Sequence, residues 1–363
     1  MPDFMIYGAN GYTGSLIAEE SALRGMCPLL AGRNADKLAA LADKLGLEYR
    51  AFGLNEPVAV DEGLRGVRLV LHCAGPFNQT SKPMADACLR MKIHYLDITG
   101  EEEVFETLAA RNAEARAAGV VLLPGVGFDV VPSDCLAAHL KRQLPTATRL
   151  ALGYQGATQM SRGTALTVLE SLPLGGVVRE HGVLRRVPAA WKTRLIDFGN
   201  GTTKAITIPW GDVATAFYST GIPNIEVYMA APWGTRVAAR LNRHFGWLLG
   251  VKLIHAWLKR RIQTGPPGPT EAQRRNNRCF LWGEATDEAG HKAISRLQTP
   301  DGYDLTVATS LAAVARILDD TVAPGFQTPA LAFGPDFIVD IAGVSQWEIA
   351  SDDKTPAERA NKL

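Results

Sequence analysis

Residues 4–14 of this chain read Phe-Met-Ile-Tyr-Gly-Ala-Asn-Gly-Tyr-Thr-Gly. Four largely apolar residues predict a buried strand, the glycines predict a turn, and Ser15 to Glu20 continue as a helix. A strand, a glycine turn and a helix in that order leave backbone N–H groups at the positively polarised start of the helix. Such a start suits a pyrophosphate. The glycines are spaced GxxGxxG rather than GxGxxG, so a glycine-rich turn that binds nothing is the alternative.

Each glycine of this turn has a predicted role. Gly8 permits the tight turn, Gly11 lets the backbone approach the phosphates, and Gly14 lets helix and strand pack closely. The cofactor-binding residues predicted here are Gly8, Asn10, Gly11, Tyr12, Thr13 and Gly14.

The end of the second strand indicates which dinucleotide binds. Residues 27–32 predict that strand, and Arg33, Asn34 and Lys37 follow it. An acidic residue here would hydrogen-bond the 2′-hydroxyl of NAD, whereas an arginine suits a 2′-phosphate. We therefore predict NADP(H) rather than NAD(H), with a solvated arginine at a strand end as the alternative.

Further strands alternate with helical patterns up to about residue 130. Strands are predicted at 47–54, 67–77 (with its exit loop), 93–101 and 120–125, and helices at 36–45, 82–91 and 101–119. The alternation predicts a parallel, doubly wound α/β sheet of the Rossmann type, whose ligands lie at the carboxyl ends of the strands. Those ends add Cys73, Ala74, Gly75 and Pro76 as cofactor contacts, and Asp97, Thr99 and Glu101 as catalytic candidates. Asp129 and Tyr95 are further candidates, and capping of the next helix is the alternative role for Asp97 and Glu101.

A second domain is predicted over residues 131–324, after an NADP(H)-binding domain of residues 1–130. Short strands around 206–212 and 225–229, and a hairpin at 280–297, predict an α+β domain on a mixed or antiparallel sheet. The closing segment, from about 325 to 363, is expected to return to the first domain. Arg162, at a predicted helix start beside Thr164, is a catalytic candidate facing an anionic group, with ordinary capping by Ser161 as the alternative.

Six motifs together resemble the saccharopine dehydrogenase-like oxidoreductases. They are GANGYTG (8–14), AGRN (31–34), CAGPF (73–77), YLDITGE (95–101), GVGFDVVPSD (125–134) and SRGT (161–164). The resemblance is greatest to the branch that contains trans-acting enoyl reductases, runs from Phe4 to about Ser171 and resumes at residues 325–330. It implies an NADP(H)-binding Rossmann domain, a second α+β domain and reduction of a C=N, C=O or C=C bond.

The composition limits location and partners. The 363 residues carry a net charge of +1, which gives no reason to expect nucleic acid as a partner. Five scattered cysteines, never spaced as CxxC, predict neither disulfides nor a metal site. With no signal peptide and no long apolar run recognised, we expect a cytoplasmic protein that acts on a small molecule.

Residues Thr235 to Ile262 form a basic amphipathic segment with seven Lys or Arg and no acidic residue. We predict a homodimer in which this segment covers or flanks the subunit contact. Packing on its own domain with a solvated basic face, and peripheral contact with an anionic membrane, are the alternatives.

The sequence thus predicts an NADP(H)-dependent oxidoreductase that transfers hydride to a small molecule. A non-catalytic NADP(H)-binding sensor or scaffold at a membrane or lipid surface is the alternative. No Ser/His/Asp or Cys/His arrangement supports hydrolysis.

Overall fold

The computed structural model describes residues 3–156, 160–171, 175–232, 234 and 252–350. The first of two sheets is parallel throughout, with strand order β3-β2-β1-β4-β5-β6-β15. Its strands are β1 (Phe4–Tyr7), β2 (Leu29–Gly32), β3 (Tyr49–Ala51), β4 (Leu69–His72), β5 (His94–Asp97), β6 (Val121–Leu123) and β15 (Gly325–Phe326).

Helices cover both faces of this sheet. They are α1 (Tyr12–Leu23), α2 (Ala35–Leu45), α3 (Pro57–Leu64), α4 (Phe77–Met91), α5 (Glu102–Ala109), α6 (Asn112–Ala118) and, from much later in the chain, α12 (Gly302–Leu318). Alternate residues of β1 enter different cores, because successive strand side chains point to opposite faces. Phe4 and Ile6 pack with α1, α2 and α12, whereas Met5 and Tyr7 pack with α3 to α6.

The order in which strands are added to the sheet reverses between the adjacent parallel strands β1 and β4. The connection from β1 leads to β2 on one side, and β4 leads to β5 on the other. The carboxyl ends of two such strands border the crevice in which doubly wound sheets bind ligands. This is the fold class predicted from the sequence.

The second sheet is mixed, with strand order β10-β11-β12-β7-β13-β14-β16; β8 pairs with β12, and β9 with β8. Only its β12–β7 pair is parallel among the described residues. Its strands are β7 (Arg149–Gln155), β8 (Gly176–Glu180), β9 (Val183–Val187), β10 (Thr193–Asp197), β11 (Thr202–Thr207), β12 (Asn224–Ala230), β13 (Arg278–Thr286), β14 (Lys292–Pro300) and β16 (Glu348–Ala350).

One face of this sheet packs on two helices that join it to the first domain. The remaining helices are α7 (Val131–Gln143), α8 (Arg162–Ser171), α9 (Asp212–Thr220), α10 (Lys252–Thr264), α11 (Glu271–Asn276) and α13 (Pro329–Phe333), followed by a 3₁₀ turn (Pro335–Ile338). Apolar residues of α7 and α9 form one core with β7, β12 and β13. The buried carboxylate of Asp134 on α7 accepts from Ser219 Oγ on α9 at 2.5 Å and from Ala330 N on α13 at 2.8 Å. These bonds tie the C-terminal segment to both helices.

The structure differs from the sequence predictions at several helix bounds. Helix α4 begins at Phe77 and contains Pro83, which the sequence had placed at its start. The single helix predicted at 101–119 is two helices, α5 and α6, and residues 206–212 end a strand and begin α9. Helix α12 lies within the predicted second domain but packs on the first sheet. Of the closing segment, β15 joins the first sheet and β16 the second.

The basic amphipathic segment is described only in part. Residues 235–251, which include Leu241, Phe245 and Leu248, lie outside the described residues. The described part forms α10, where Trp257 is 58% exposed and Lys259 Nζ lies 3.9 Å from a carboxylate oxygen of Glu170 on α8. Of the helices in the described ranges, none is long and apolar enough to span a membrane.

Replacement of Gly14 by alanine tests the close packing of α1 on β1. A Cβ there would lie 2.3 Å from the carbonyl oxygen of Gly8, so backbone must move. We expect Gly14→Ala to lower the free energy of unfolding by about 1–3 kcal/mol, the usual range for overpacking. The control is Gly53→Ala, where an added Cβ meets nothing within 4 Å. Equal urea midpoints for both variants would contradict this packing role.

Candidate active site

The glycine turn brings the ends of β1 and β4 together. Gly8 has φ +88°, and a Cβ on it would lie 2.8 Å from the backbone nitrogen of Ala74. The N–H of Gly8 donates to Ala31 O at 2.7 Å, and that of Gly11 donates to Gly8 O at 2.9 Å. The turn is therefore fixed by backbone contacts to β2 and to the loop that follows β4.

Helix α1 begins without a side-chain cap. Its N-cap is Gly11, whose lack of a side chain leaves the backbone N–H groups of the first turn without a side-chain acceptor. An uncapped helix start in a glycine cradle, at the crevice of a doubly wound sheet, fits a dinucleotide pyrophosphate. Gly8, Asn10, Gly11, Tyr12, Thr13 and Gly14 all lie in or next to this turn.

Arg33 follows β2 and is exposed, which leaves its guanidinium accessible to a phosphate. Asn34 has a structural role, because its side chain caps α2 by accepting from Lys37 N at 2.9 Å. Lys37 lies in the first turn of α2, one turn beyond Arg33. The residues present at this strand end thus fit a 2′-phosphate through Arg33 and Lys37.

Glu101 binds the start of a helix, but not the helix that follows it. Its two carboxylate oxygens accept from Phe77 N at 2.9 Å and Asn78 N at 2.8 Å, at the start of α4. Burial raises the pKa of Glu101, and these two bonds act in the opposite direction. Glu101 thereby fixes the loop after β4, where Cys73 and Gly75 line the cleft.

Asp97 is fully buried and joins two loops at the edge of the first sheet. Its carboxylate accepts from Tyr95 OH at 2.7 Å, Thr99 N at 3.0 Å and Gly125 N at 2.9 Å. Burial raises its pKa to about 6, although the three donors favour the charged form. Thr99 is equally buried, and its hydroxyl accepts from Glu101 N at 3.1 Å. The hydrogen bonds of Asp97 and Thr99 fix the loops at these strand ends, and neither residue lines the cleft.

A cleft of about 490 Å³ leads from these strand ends into the second domain. Its first-domain side includes Thr13, Cys73, Gly75, Ile98 and Gly100, and its second-domain side includes Met160, Thr164, Ile208, Trp210, Met229 and Tyr303. Apolar walls of this kind exclude water from a bound substrate.

Asp129 lies in this cleft, on the loop between β6 and α7. Burial raises the pKa of its carboxyl to about 6. No donor in the described ranges lies within hydrogen-bond distance of its carboxylate oxygens, whereas its backbone carbonyl accepts from Trp210 Nε1 at 2.8 Å. Asp129 thus combines a held backbone with a carboxyl open to a ligand.

The second-domain wall is held at the start of α8. Ser161 N donates to Tyr303 OH at 2.5 Å, Arg162 N donates to Pro267 O at 3.0 Å, and Thr164 N donates to Ser161 Oγ at 3.2 Å. This is the capping arrangement that the sequence left open. Arg162 is exposed and does not line the cleft, so the structure does not bring it to the other catalytic candidates.

A proline-rich connector of the second domain lies against the glycine turn. Tyr12 OH donates to Pro269 O at 2.5 Å and accepts from Arg274 at 2.9 Å, and its ring meets Tyr303 edge-on at 5.0 Å between centroids. A Cβ on Gly268 would lie 2.6 Å from the Tyr12 ring. The turn and the cleft wall are therefore in direct contact.

Sequence reasoning missed Trp210 and Tyr303 as site residues. Trp210 lies in a predicted strand, and Tyr303 lies two residues after Asp301, whose only sequence signal is that of a helix cap. Both reach the cleft through long-range contacts, which no local spacing reveals.

Comparisons with known proteins agree with a dinucleotide-binding first domain. Residues 4–123 match the family model described as saccharopine dehydrogenase NADP binding domain, which confirms the resemblance and the NADP(H) prediction. A saccharopine dehydrogenase-like oxidoreductase of Mus musculus is 28% identical over 160 residues, 39% of this chain and 37% of that protein. A trans-acting enoyl reductase of Mycobacterium ulcerans (strain Agy99) is 29% identical over 272 residues, 68% of this chain and 63% of that protein.

A solved structure shares the whole fold. The apo saccharopine dehydrogenase (L-Glu forming) of Saccharomyces cerevisiae superposes with a TM-score of 0.65 at 12% identity, covering 97% of this chain and all of that one. At this identity the likeness concerns the fold, and it confirms the predicted α/β class with its second domain.

Replacement of Gly11 by valine tests the pyrophosphate position. Gly11 has φ −80°, which any residue can adopt, and a Cβ there would lie 3.2 Å from the Gly8 carbonyl oxygen, so a side chain requires a shift of only a few tenths of an ångström. The valine would occupy space beside the uncapped helix start. We expect an unchanged circular dichroism spectrum and loss of NADPH binding, measured by NADPH fluorescence. Normal NADPH affinity would exclude this turn as the pyrophosphate site.

Replacement of Arg33 by aspartate tests the choice of cofactor. We expect NADPH binding to weaken by about 1–3 kcal/mol, the scale of a charged hydrogen bond, with little change for NADH. Arg65→Asp is the control. Arg65 is also exposed, but it follows α3 and precedes β4, so it lies toward the amino ends of the strands and not at their carboxyl ends. An unaltered ratio of the two dissociation constants in Arg33→Asp would rule out the assignment.

Proposed function

We propose that this chain, whose residues 4–123 form a saccharopine dehydrogenase-type NADP-binding domain, is an NADPH-dependent reductase of a small molecule. The chain covers 37% of the mouse relative and 63% of the mycobacterial one, so the printed names of these relatives serve only as support for the proposal.

The observation that carries the proposal is the continuity of the cleft with the strand ends of the NADP-binding domain. Thr13, at the glycine turn, and Tyr303, on the second-domain wall, line the same cavity, and Asp129 lies between the two domains. Hydride transfer needs a dry space in which a substrate meets the cofactor. A non-catalytic sensor would need the dinucleotide-binding strand ends, but it would not need a carboxyl that faces an apolar cavity.

Asp129 is the proposed proton donor. Bound NADPH supplies a hydride to the acceptor carbon, and the other atom of the reduced double bond then needs a proton. The carboxyl of Asp129 gives that proton and is reprotonated from solvent. Its raised pKa favours this role, because an acid with a pKa near the working pH is both populated and able to transfer.

A C=C bond is the first acceptor to test. The printed name of the mycobacterial relative, which this chain matches over 68% of its own length, is trans-acting enoyl reductase. Imines and ketones are the other acceptors consistent with hydride transfer.

The deciding experiment is NADPH oxidation in the presence of enoyl thioesters, imines and ketones, each with and without the protein. Turnover of any of these acceptors supports the reductase. Tight NADPH binding with no turnover across the panel would instead favour the non-catalytic sensor.

Replacement of Asp129 by asparagine tests the proton donor. We expect kcat to fall by about 10²–10⁴-fold, the usual contribution of general acid catalysis, with NADPH affinity unchanged. Because the acid form is the active one, kcat/KM of the wild type is expected to fall as pH rises through about 6, and the variant should lack this limb.

The control for this prediction is Asp320→Asn, which removes an exposed carboxylate that pairs with Arg68 far from the cleft. Wild-type rates are expected for the control at every pH. A full rate in Asp129→Asn would remove this residue from the mechanism without touching the proposal of a reductase.

A further inference from the structure

Asp212 is a buried carboxyl that the proposed reaction does not use. It is the first residue of α9 and is fully inaccessible to solvent. Tyr154 OH lies 2.5 Å from one of its oxygens, and Ser133 Oγ contacts the other. Ser133 Oγ also lies 2.9 Å from the carbonyl oxygen of Val130.

Three contacts of 2.9 Å or less between oxygen atoms in this cluster each need a proton, and Tyr154 OH also lies 3.4 Å from the backbone carbonyl oxygen of Asp129. They join Tyr154 to Asp212, Ser133 to Asp212, and Ser133 to Val130. The two hydroxyls supply two protons, since each carries one. All three hydrogen bonds form together only if the third proton lies on Asp212 itself, which then donates to Ser133 while Ser133 donates to Val130.

The surrounding charges favour the same state. Asp129 and Asp134 face Asp212 from the loop and start of α7, and both oppose a further negative charge. Arg179 is a cation packed against α9, where it donates to Val213 O at 2.6 Å and pairs with Glu106. Burial, the largest effect, raises the pKa of Asp212 to about 8. The start of α9 favours the charged form, but no helix N–H bonds the carboxylate, and this effect is smaller than that of burying an unpaired charge.

The cluster holds the loop that carries Asp129. Val130, whose carbonyl is bonded by Ser133, is the next residue in the chain. Trp210, two residues before Asp212, donates to the carbonyl of Asp129 itself. Between them, Gly211 lies so close to Gly100 that a Cβ would stand 3.0 Å from the Gly100 carbonyl oxygen. Residues 210–212 thus contact the two first-domain loops, at Gly100 and at Asp129, that border the cleft.

We propose that Asp212 is a positioning residue that stays protonated at neutral pH and, through Ser133, fixes the loop on which Asp129 faces the cleft. The assignment of Asp129 as proton donor rests on the proposed function, whereas the protonation of Asp212 does not.

The first test measures stability and needs no substrate. Asp212→Asn imitates the protonated acid, because its amide oxygen can accept from Tyr154 while its NH₂ donates to Ser133. An acid that is protonated when folded and ionised when unfolded releases a proton on unfolding. Between about pH 5 and about pH 7 the unfolding constant of the wild type should therefore rise about tenfold more per pH unit than that of the variant. Parallel pH dependences would overturn the protonated state.

The control for this test is Asp340→Asn, which alters an exposed carboxylate beside Arg316. It should retain the wild-type pH dependence of unfolding, and a flattened dependence in this variant would show that the difference is not specific to Asp212.

The second test uses the pH profile of an acceptor that the protein reduces. If Asp212 is neutral, the fall of kcat/KM that reports the ionisation of Asp129 stays near pH 6 in Asp212→Asn, because no charge is removed. If Asp212 is ionised, loss of its charge lowers the pKa of Asp129, and the limb moves to lower pH. A shifted limb would overturn the proposal.

Ser133→Ala tests the route from Asp212 to the loop. It removes the hydroxyl between Asp212 and Val130, and we expect kcat to fall about tenfold, the equivalent of one hydrogen bond, with NADPH affinity unchanged. Asp212→Asn should stay within about twofold of the wild type, because its amide preserves the contacts. A wild-type kcat in Ser133→Ala would show that the serine does not position the loop.

Discussion

The candidate site depends on a close approach of backbone that a side chain would prevent. Gly14 brings the start of α1 against Gly8, and Gly8 in turn brings the end of β1 against Ala74 in the loop after β4. These contacts place an uncapped helix start at the point where the chain reverses direction across the sheet. The pyrophosphate position and the mouth of the cleft therefore arise from one local constraint, and neither could move without the other.

A second constraint comes from the other domain. Trp210, Gly211 and Asp212 are consecutive. Trp210 and Gly211 meet first-domain loops at Asp129 and Gly100, and Asp212 meets Ser133 in the first turn of α7. The segment can do this because β11 ends and α9 begins there, so the backbone turns where it meets Asp129. Helix α12 contributes in the same way, since it follows β14 of the second sheet but packs on the first. The two domains share packed cores, and the cleft between them has walls built by both.

The sequence predicted what depends on local pattern. Apolar runs, glycine spacing and the arginine after β2 were sufficient for the parallel sheet and for NADP(H), because strand burial and turn chemistry act over a few residues. The roles of the carboxylates were less accessible. Asp97 was predicted as catalytic and is a buried anchor for Thr99 and Gly125, and Glu101 binds a helix start that lies 23–24 residues earlier in the chain. These partners are set by how strands line up at one edge of the sheet, which single-chain spacing does not encode.

The carboxyls of Asp97, Asp129 and Asp212 have raised pKa values but different surroundings. Burial raises the pKa of both Asp97 and Asp129 to about 6, yet the carboxylate of Asp97 receives three hydrogen bonds and that of Asp129 receives none from the described residues. Each of the two carboxyls is half-ionised near the same pH, but only that of Asp129 opens into the cleft. Burial and the neighbouring acids raise the pKa of Asp212 to about 8, although its two hydroxyl contacts act in the opposite direction, so its proton is held to higher pH. Asp129 can thus release its proton near neutral pH, whereas the neighbouring Asp212 retains its own. Asp129 can therefore transfer a proton, and Asp212 can only hold the loop in place.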